Sequence, residues 1–173
     1  GLLARNKKIK SLSEKPFQLN YAPHFGMFEL IAGKDLMDQI QFMHDQGFRS
    51  LEDNGMKNRS KKTQNDIAKK MEKLGMSMGV FVGHKIYWKE PNLTSGDRSL
   101  QDEFIENIRD SVEVAKRVNA TWMTIVPGHI DLKKEMDYQT ANVIEALKRA
   151  AEILEKHNLV MVLELSLIHI SEP

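Results

Sequence analysis

The sequence predicts one strand–helix–strand unit clearly. The first strand is Thr121-Trp122-Met123-Thr124-Ile125-Val126, the helical pattern covers residues 137–156, and the second strand is Leu159-Val160-Met161-Val162-Leu163. The two outer runs are apolar, as is typical of strands covered on both faces. Between them, one helix face carries Val143, Leu147, Ala150 and Leu154. Strand, helix and strand in this order predict a parallel βα unit, because parallel strands need a crossover connection.

The same alternation extends towards the N-terminus. Strands are predicted over residues 17–22, 48–52 and 76–82. Helices are predicted from Asp35 to a stop at Gly47, over residues 63–74, and from a capping box at Ser99 to Val118. This order predicts an α/β fold of parallel (β/α) units, which fits either an open doubly wound sheet or the N-terminal part of a TIM barrel.

Two observations favour the barrel. The first predicted strand runs into Asn20-Tyr21-Ala22-Pro23-His24-Phe25-Gly26, which lacks the glycine-rich loop of a dinucleotide-binding fold. A complete TIM barrel needs about 250 residues. A chain of 173 residues is therefore expected to hold its first half or slightly more.

Composition excludes several classes of protein. Lys and Arg number 25 against 24 Asp and Glu, and a net charge of +1 argues against a nucleic-acid partner. The absence of cysteine excludes disulfides, thiolate zinc sites and cysteine nucleophiles, but it leaves cytoplasmic and exported locations both open. No apolar run has the length of a membrane helix, so no membrane partner is expected.

The two ends differ from the middle. Residues 1–16 are interpreted as a linker, either the remnant of an export signal or a processed soluble terminus. Residues 17–164 form the expected partial barrel. Residues 165–173 read Leu165-Ser166-Leu167-Ile168-His169-Ile170-Ser171-Glu172-Pro173, similar to an adapter-encoded tail, and the alternative is a genuine short apolar strand.

Ligands of parallel βα arrays bind at the carboxyl ends of the strands. The polar side chains at those predicted ends are His24, Glu52, His84, His129 and Glu164. Each histidine alone is more typical of an ordinary polar loop residue, but three on one rim favour substrate contacts. Trp88 follows the third strand and is a further candidate substrate contact, as a lid over a small polar substrate or as surface packing.

Glu164 is the sharpest single candidate, because it follows five apolar strand residues directly. A carboxylate buried there without a partner would be costly. Mg²⁺ or Mn²⁺ is one expected partner, since both prefer carboxylate oxygen. The alternative is a rim carboxylate paired with Lys or Arg. The basic run over residues 57–62 is interpreted as a solvated approach to a helix, with a phosphate contact as the alternative.

Three segments together resemble hydroxypyruvate isomerase-like proteins of the xylose isomerase-like TIM barrels. These segments are Leu19-Asn20-Tyr21-Ala22-Pro23-His24-Phe25-Gly26-Met27-Phe28, Gly47-Phe48-Arg49-Ser50-Leu51-Glu52-Asp53-Asn54-Gly55-Met56 and Val162-Leu163-Glu164. The resemblance implies that Glu164 is a metal ligand and catalytic carboxylate. In the family this glutamate opens a Glu-Pro-x-Asn motif, whereas Leu165-Ser166-Leu167 follows it here, and the remaining ligands come from strands six to eight.

The resemblance implies that the complete parent interconverts hydroxypyruvate and tartronate semialdehyde with a divalent metal, Mg²⁺ or Mn²⁺. The expected substrate is a small hydroxy-carbonyl compound or sugar. This chain would hold one of two catalytic glutamates, so it is expected to be inactive and not to bind the metal appreciably. Its open sheet edges make a homo-oligomer possible.

Three other functions remain open. One is a ketose 3-epimerase of the same barrel group, and another is a non-catalytic barrel-like binding protein. The third is an endonuclease IV-type DNA-repair enzyme, whose zinc histidines lie after strands three and four. His84 fits that scheme loosely, but Val126 occupies the position of the second histidine, and His129 comes only after Pro127-Gly128.

Overall fold

The computed structural model describes residues 15–164, in which helices alternate with short parallel strands. The helices are α1 (Glu29–Ala32), α2 (Leu36–Asp45), α3 (Lys61–Leu74), α4 (Arg98–Val118) and α5 (Met136–Leu154). The strands are β1 (Ser50–Leu51), β2 (Ser77–Met78), β3 (Trp122–Ile125) and β4 (Val160–Leu163). Three 3₁₀ turns are added at Met56–Asn58, Leu93–Ser95 and Glu155–His157. The predicted tail 165–173 and all but the last two residues of the predicted linker lie outside the described residues.

The strands follow one another in sequential order. β1 pairs with β2 in parallel, and β3 pairs with β4 in parallel. A parallel bridge between Val82 and Thr124 joins the two pairs, and a bridge between His24 and Glu52 places the first segment beside β1. The prediction of an α/β fold that forms part of a TIM barrel is confirmed.

The first predicted strand, residues 17–22, is wrong as a regular strand. Tyr21 N–H donates to the Leu19 carbonyl at 3.0 Å, which makes a turn inside the segment. The Phe17 ring packs against Tyr21 and Phe48, with centroids 5.5 and 4.9 Å away. The alternation of apolar residues there reflects an aromatic cluster, and pairing begins only at Pro23, whose carbonyl accepts from Glu52 N–H at 3.2 Å.

The predicted start of α4 is two residues too late. Asp97, not Ser99, is the N-cap, because its Oδ1 accepts from Ser99 N–H at 2.7 Å and from Leu100 N–H at 3.4 Å. The Ser99 hydroxyl donates to the same oxygen at 2.6 Å and so supports the cap. Asp35 caps α2 as predicted, and Gly75 ends α3 at φ 65°, a left-handed conformation that glycine adopts without strain.

The hydrophobic core lies between the strands and the inner faces of α2, α3 and α4. Its fully buried members include Ile40, Leu51, Ile67, Phe81, Ile108 and Met123. This core holds the carboxyl ends of the strands in fixed relative positions. Within residues 15–164, no helix is both long and apolar enough to cross a membrane.

Candidate active site

Two of the predicted site residues meet where adjacent strands end. The Val126 N–H, just after β3, donates to His84 Nε2 at 3.0 Å. The Glu164 N–H, just after β4, donates to the Ile125 carbonyl at 3.0 Å. His84 and Glu164 therefore flank the same end of β3.

The His84 ring is buried, with only 4% of the residue exposed, and its edge packs on Phe104 of α4 with centroids 5.2 Å apart. Burial lowers the pKa of His84 to about 4; the Lys85 backbone opposes this shift and the Lys57 ammonium adds to it. Because Nε2 accepts a hydrogen bond, the neutral ring carries its proton on Nδ1. That Nδ1 has no hydrogen-bond partner among the described residues.

A polar pocket of about 450 Å³ opens at this point. Its walls come from the loops after β1, β2 and β3, from α4 and from the end of β4. The lining residues are Asn54, Lys57, Asn58, Val82, His84, Lys85, Ile86, Trp88, Asn107, Val126 and Glu164. The pocket thus joins amide, imidazole, ammonium and carboxylate groups, which suits a small substrate with several oxygens.

Trp88 lies between the polar pocket and a second cavity. This apolar groove, about 360 Å³, is lined chiefly by α5 and the loop after β3, with Trp88 and the end of β4 also contributing. The loop that carries Trp88 is tied to α4, because the Tyr87 hydroxyl donates to Glu103 Oε2 at 2.6 Å. Trp88 itself is 56% exposed, as a side chain covering an open pocket would be.

His24, Glu52 and His129 do not border the polar pocket. His24 is exposed, its Nδ1 is 2.8 Å from the Phe25 carbonyl, and it pairs with Glu52 along the first segment. The His129 Nδ1 is 2.7 Å from the Ile130 carbonyl, on the loop after β3. The structure brings together His84, Trp88 and Glu164 only, and substrate contacts by the other three stay predictions.

Sequence reasoning missed Asn54, Lys57 and Asn107 as pocket residues. Asn54 follows the buried Asp53, which forms an ion pair with Arg59 at 2.5 Å. Lys57 belongs to a basic run that looked solvated. Nothing in the sequence distinguishes Lys57 from the lysines that follow it.

The described residues do not complete a divalent metal site. Glu164 is exposed and supplies one carboxylate. Over residues 15–164, no group of three His, Asp or Glu side chains is placed to hold a metal ion. Since Mg²⁺ and Mn²⁺ need several oxygen ligands, Glu164 can be at most one member of such a set.

The parallel strands and outer helices define part of a TIM barrel, and the polar pocket lies at the carboxyl ends of the strands, where TIM-barrel enzymes have their active sites. The family model for the xylose isomerase-like TIM barrel matches residues 40–166, and the chain belongs to this family. No curated protein has significant similarity to the sequence.

Solved structures share the fold. The chain is similar to D-psicose 3-epimerase from Clostridium cellulolyticum H10, with a TM-score of 0.66 and 16% identity over 87% of this chain and 54% of that one. AP endonuclease, family 2, from Brucella melitensis has a TM-score of 0.64 and 14% identity, over 82% and 53%. The 3-keto-D-glucoside 4-epimerase from E. coli has a TM-score of 0.66 and 11% identity, over 84% and 56%. The chain spans about half the length of these proteins, and the likeness is one of fold.

Proposed function

We propose that the complete protein is a hydroxypyruvate isomerase-like enzyme that moves a proton between adjacent carbons of a small hydroxy-carbonyl substrate. The observation that carries this proposal is the polar pocket that His84 and Glu164 line together at neighbouring strand ends. A hydrogen-bond donor beside a carboxylate is what removal of a proton next to a carbonyl group requires.

Glu164 is the proposed base. Its carboxylate takes a proton from the hydroxymethyl carbon of hydroxypyruvate. The electron pair of that C–H bond forms the C=C bond of an enediolate, and the π pair of the neighbouring carbonyl moves onto its oxygen. The resulting carboxylic acid returns the proton to the former carbonyl carbon. The hydroxyl proton moves to the oxygen on that carbon, which leaves an aldehyde at the terminal position and yields tartronate semialdehyde.

His84 is the proposed donor to the oxygen that becomes negative. Its lowered pKa, about 4, keeps the ring neutral near pH 7. A neutral donor stabilises the developing charge without giving up its proton. Trp88, at the mouth of the polar pocket, would exclude water from the enediolate.

A divalent metal, Mg²⁺ or Mn²⁺, is part of the proposal for the complete protein only. Glu164 would supply one ligand, and the others would come from outside residues 15–164. When bound, the ion would supply positive charge at the substrate oxygens. The 173-residue chain is accordingly expected to show no turnover.

The test is a proton-exchange assay on a complete barrel that contains these residues. Hydroxypyruvate is incubated in D₂O with Mn²⁺, and deuterium at the carbon next to the carboxylate is followed by NMR. Glu164→Gln is expected to lower kcat by about 10²–10⁴-fold, the usual contribution of a general base. His84→Gln is expected to lower kcat by about 10²-fold, as loss of an oxyanion donor does.

The matched control is Glu155→Gln, which alters an exposed glutamate of the last 3₁₀ turn and should leave kcat unchanged. Turnover of ketoses such as D-psicose, without turnover of hydroxypyruvate, would replace the isomerase by a 3-epimerase. Cleavage of DNA at abasic sites would replace it by a nuclease. Full activity of Glu164→Gln would remove Glu164 from the reaction.

A further inference from the structure

Lys57 occupies an unusual position for a lysine in a basic run. It lies on the 3₁₀ turn Met56–Asn58, and its Nζ is 2.6 Å from the Asn107 carbonyl, 3.1 Å from Asn107 Oδ1 and 3.4 Å from the Gly83 carbonyl. An ammonium group has three protons, and these three acceptors use all of them. Lys57 therefore links three parts of the chain and leaves no proton for a ligand.

Of these acceptors, the Gly83 carbonyl lies nearest to the site, because Gly83 directly precedes His84 in the sequence. It also accepts from the Ser111 hydroxyl at 2.5 Å, and the Gly83 N–H donates to the Thr124 carbonyl at 3.0 Å. A Cβ at residue 83 would lie 2.8 Å from the Met123 sulfur. Gly83 is thus held against β3 on one side and against α4 on the other.

We propose that Lys57 is a positioning residue that acts through Gly83 and Asn107 to hold the His84 ring in place at the wall of the polar pocket. His84 follows Gly83 directly, so a displaced Gly83 carbonyl would turn the peptide that places the imidazole. This proposal depends on the proposed function in one respect, namely that His84 binds a substrate oxygen. The position of the ring itself can be measured without a substrate.

The other lysines of the basic run show what the position of Lys57 adds. Lys61 and Lys62 are exposed, and Lys62 pairs with Asp66 at 2.7 Å across one turn of α3. Exposed pairs of this type are worth little. Burial lowers the pKa of Lys57, with Asp110 opposing the shift, which fits an ammonium group enclosed by protein acceptors.

The absence of cysteine from the chain allows a direct test. In Lys57→Cys the new thiol is the only one present. Alkylation with 2-bromoethylamine rebuilds an ammonium group at nearly the same distance, whereas alkylation with iodoacetamide leaves a neutral side chain of similar bulk. Both adducts of the 173-residue chain are compared with the unmodified protein by ¹⁵N NMR of the histidine rings at pH 7.5, and His84→Gln assigns the signals.

The unmodified protein should show His84 as a single Nδ1–H tautomer, with widely separated shifts for the two ring nitrogens. The neutral adduct should shift towards averaged tautomers, and the aminoethyl adduct should restore the original pattern. Lys61→Cys, treated in the same ways, should leave the His84 signals unchanged. A neutral adduct that keeps the original pattern would overturn the proposal.

A second variant guards against unfolding of the neutral adduct. Asn107→Ala removes one acceptor of Lys57 and leaves the lysine in place, so a smaller shift in the same direction is expected. Unchanged His84 signals in this variant would also overturn the proposal. Because both readouts are made without substrate, the positioning role can stand if the isomerase assay fails, and it can fail if that assay succeeds.

Discussion

The two long helices, α4 and α5, differ in how completely the rest of the molecule encloses them. Of the 21 residues of α4, nine are buried. Of the 19 residues of α5, four are buried, although its sequence has a clear apolar face. α4 packs against both α3 and α5, whereas the main helix partner of α5 within residues 15–164 is α4.

The described part of the barrel is therefore well packed around α4, whereas α5 leaves much of its apolar face exposed. Met136 and Ile144 of α5 are 53% and 46% exposed, and both line the apolar groove. Leu163, at the end of β4, lines the same groove and is 47% exposed. The polar pocket is built mainly on the enclosed side, because α4 supports both His84 and the carbonyl of Gly83.

The largest expected effect compares one isoleucine from each helix. Ile108 of α4 is fully buried, so Ile108→Ala should lower the free energy of unfolding by about 2–5 kcal/mol through lost contacts and a residual cavity. Ile144 of α5 is 46% exposed, so Ile144→Ala should cost less than about 1 kcal/mol. Urea denaturation followed by circular dichroism measures both values.

Equal losses for the two variants would contradict the comparison, because they would place Ile144 in a fully packed environment. A second copy of the chain seated on α5 would have this effect. Repeating the denaturation over a range of protein concentrations separates the two cases, since only association makes the midpoint depend on concentration.

The next effect concerns pH and the enclosed side of the molecule. The pKa of His84 is about 4 in the folded chain and near 6.5 when the residue is solvated. Above pH 6.5 both states hold a neutral ring, and the full stability is present. Below pH 6.5 the unfolded chain binds a proton that the native state does not, so stability should fall by about 3 kcal/mol between pH 6.5 and pH 4.

His84→Gln isolates this contribution, because the carboxylates that titrate in acid are present in both proteins. The variant should lose less stability than the parent between pH 6.5 and pH 4, and the two curves should run parallel above pH 7. Urea midpoints at intervals of half a pH unit give the comparison. Parallel curves over the whole range would show that His84 does not stay neutral in the native state.

Much of the fold could be predicted because helices with long apolar faces are strong signals. The apolar spacing of residues 137–156 and the capped pattern ending at Val118 located both long helices, and alternation with apolar runs gave parallel strands in sequential order. The prediction of the first strand was wrong because a short alternation of apolar and polar residues, six in all, does not distinguish a strand from an aromatic cluster. Phe17, Tyr21 and Phe48 form that cluster.

The rule that sites lie at strand ends selected five residues, of which His84 and Glu164 lie at adjacent strand ends and line the polar pocket. Trp88, on the loop after β2, lines it too, whereas His24, Glu52 and His129 do not. Lys57 was missed because its role depends on Gly83 and Asn107, which are 26 and 50 residues away in sequence. Local sequence patterns do not predict contacts between residues so far apart in the chain.

The smallest expected effect compares the starts of the same two helices. Asp97 accepts hydrogen bonds from two backbone N–H groups at the start of α4, whereas Glu135 makes no side-chain cap at the start of α5. Asp97→Ala should lower the free energy of unfolding by about 1 kcal/mol, since two N–H groups lose their acceptor and a negative charge leaves the positive end of the helix dipole.

Glu135→Ala removes a negative charge from the corresponding position and serves as the matched control, with an expected change within about 0.5 kcal/mol. Hydrogen exchange of the first-turn amides gives an independent readout, because Asp97→Ala should speed exchange at Ser99 and Leu100 while Glu135→Ala leaves them unchanged. Equal losses in both variants would mean that charge near the helix end, rather than the cap geometry of Asp97, stabilises the enclosed helix.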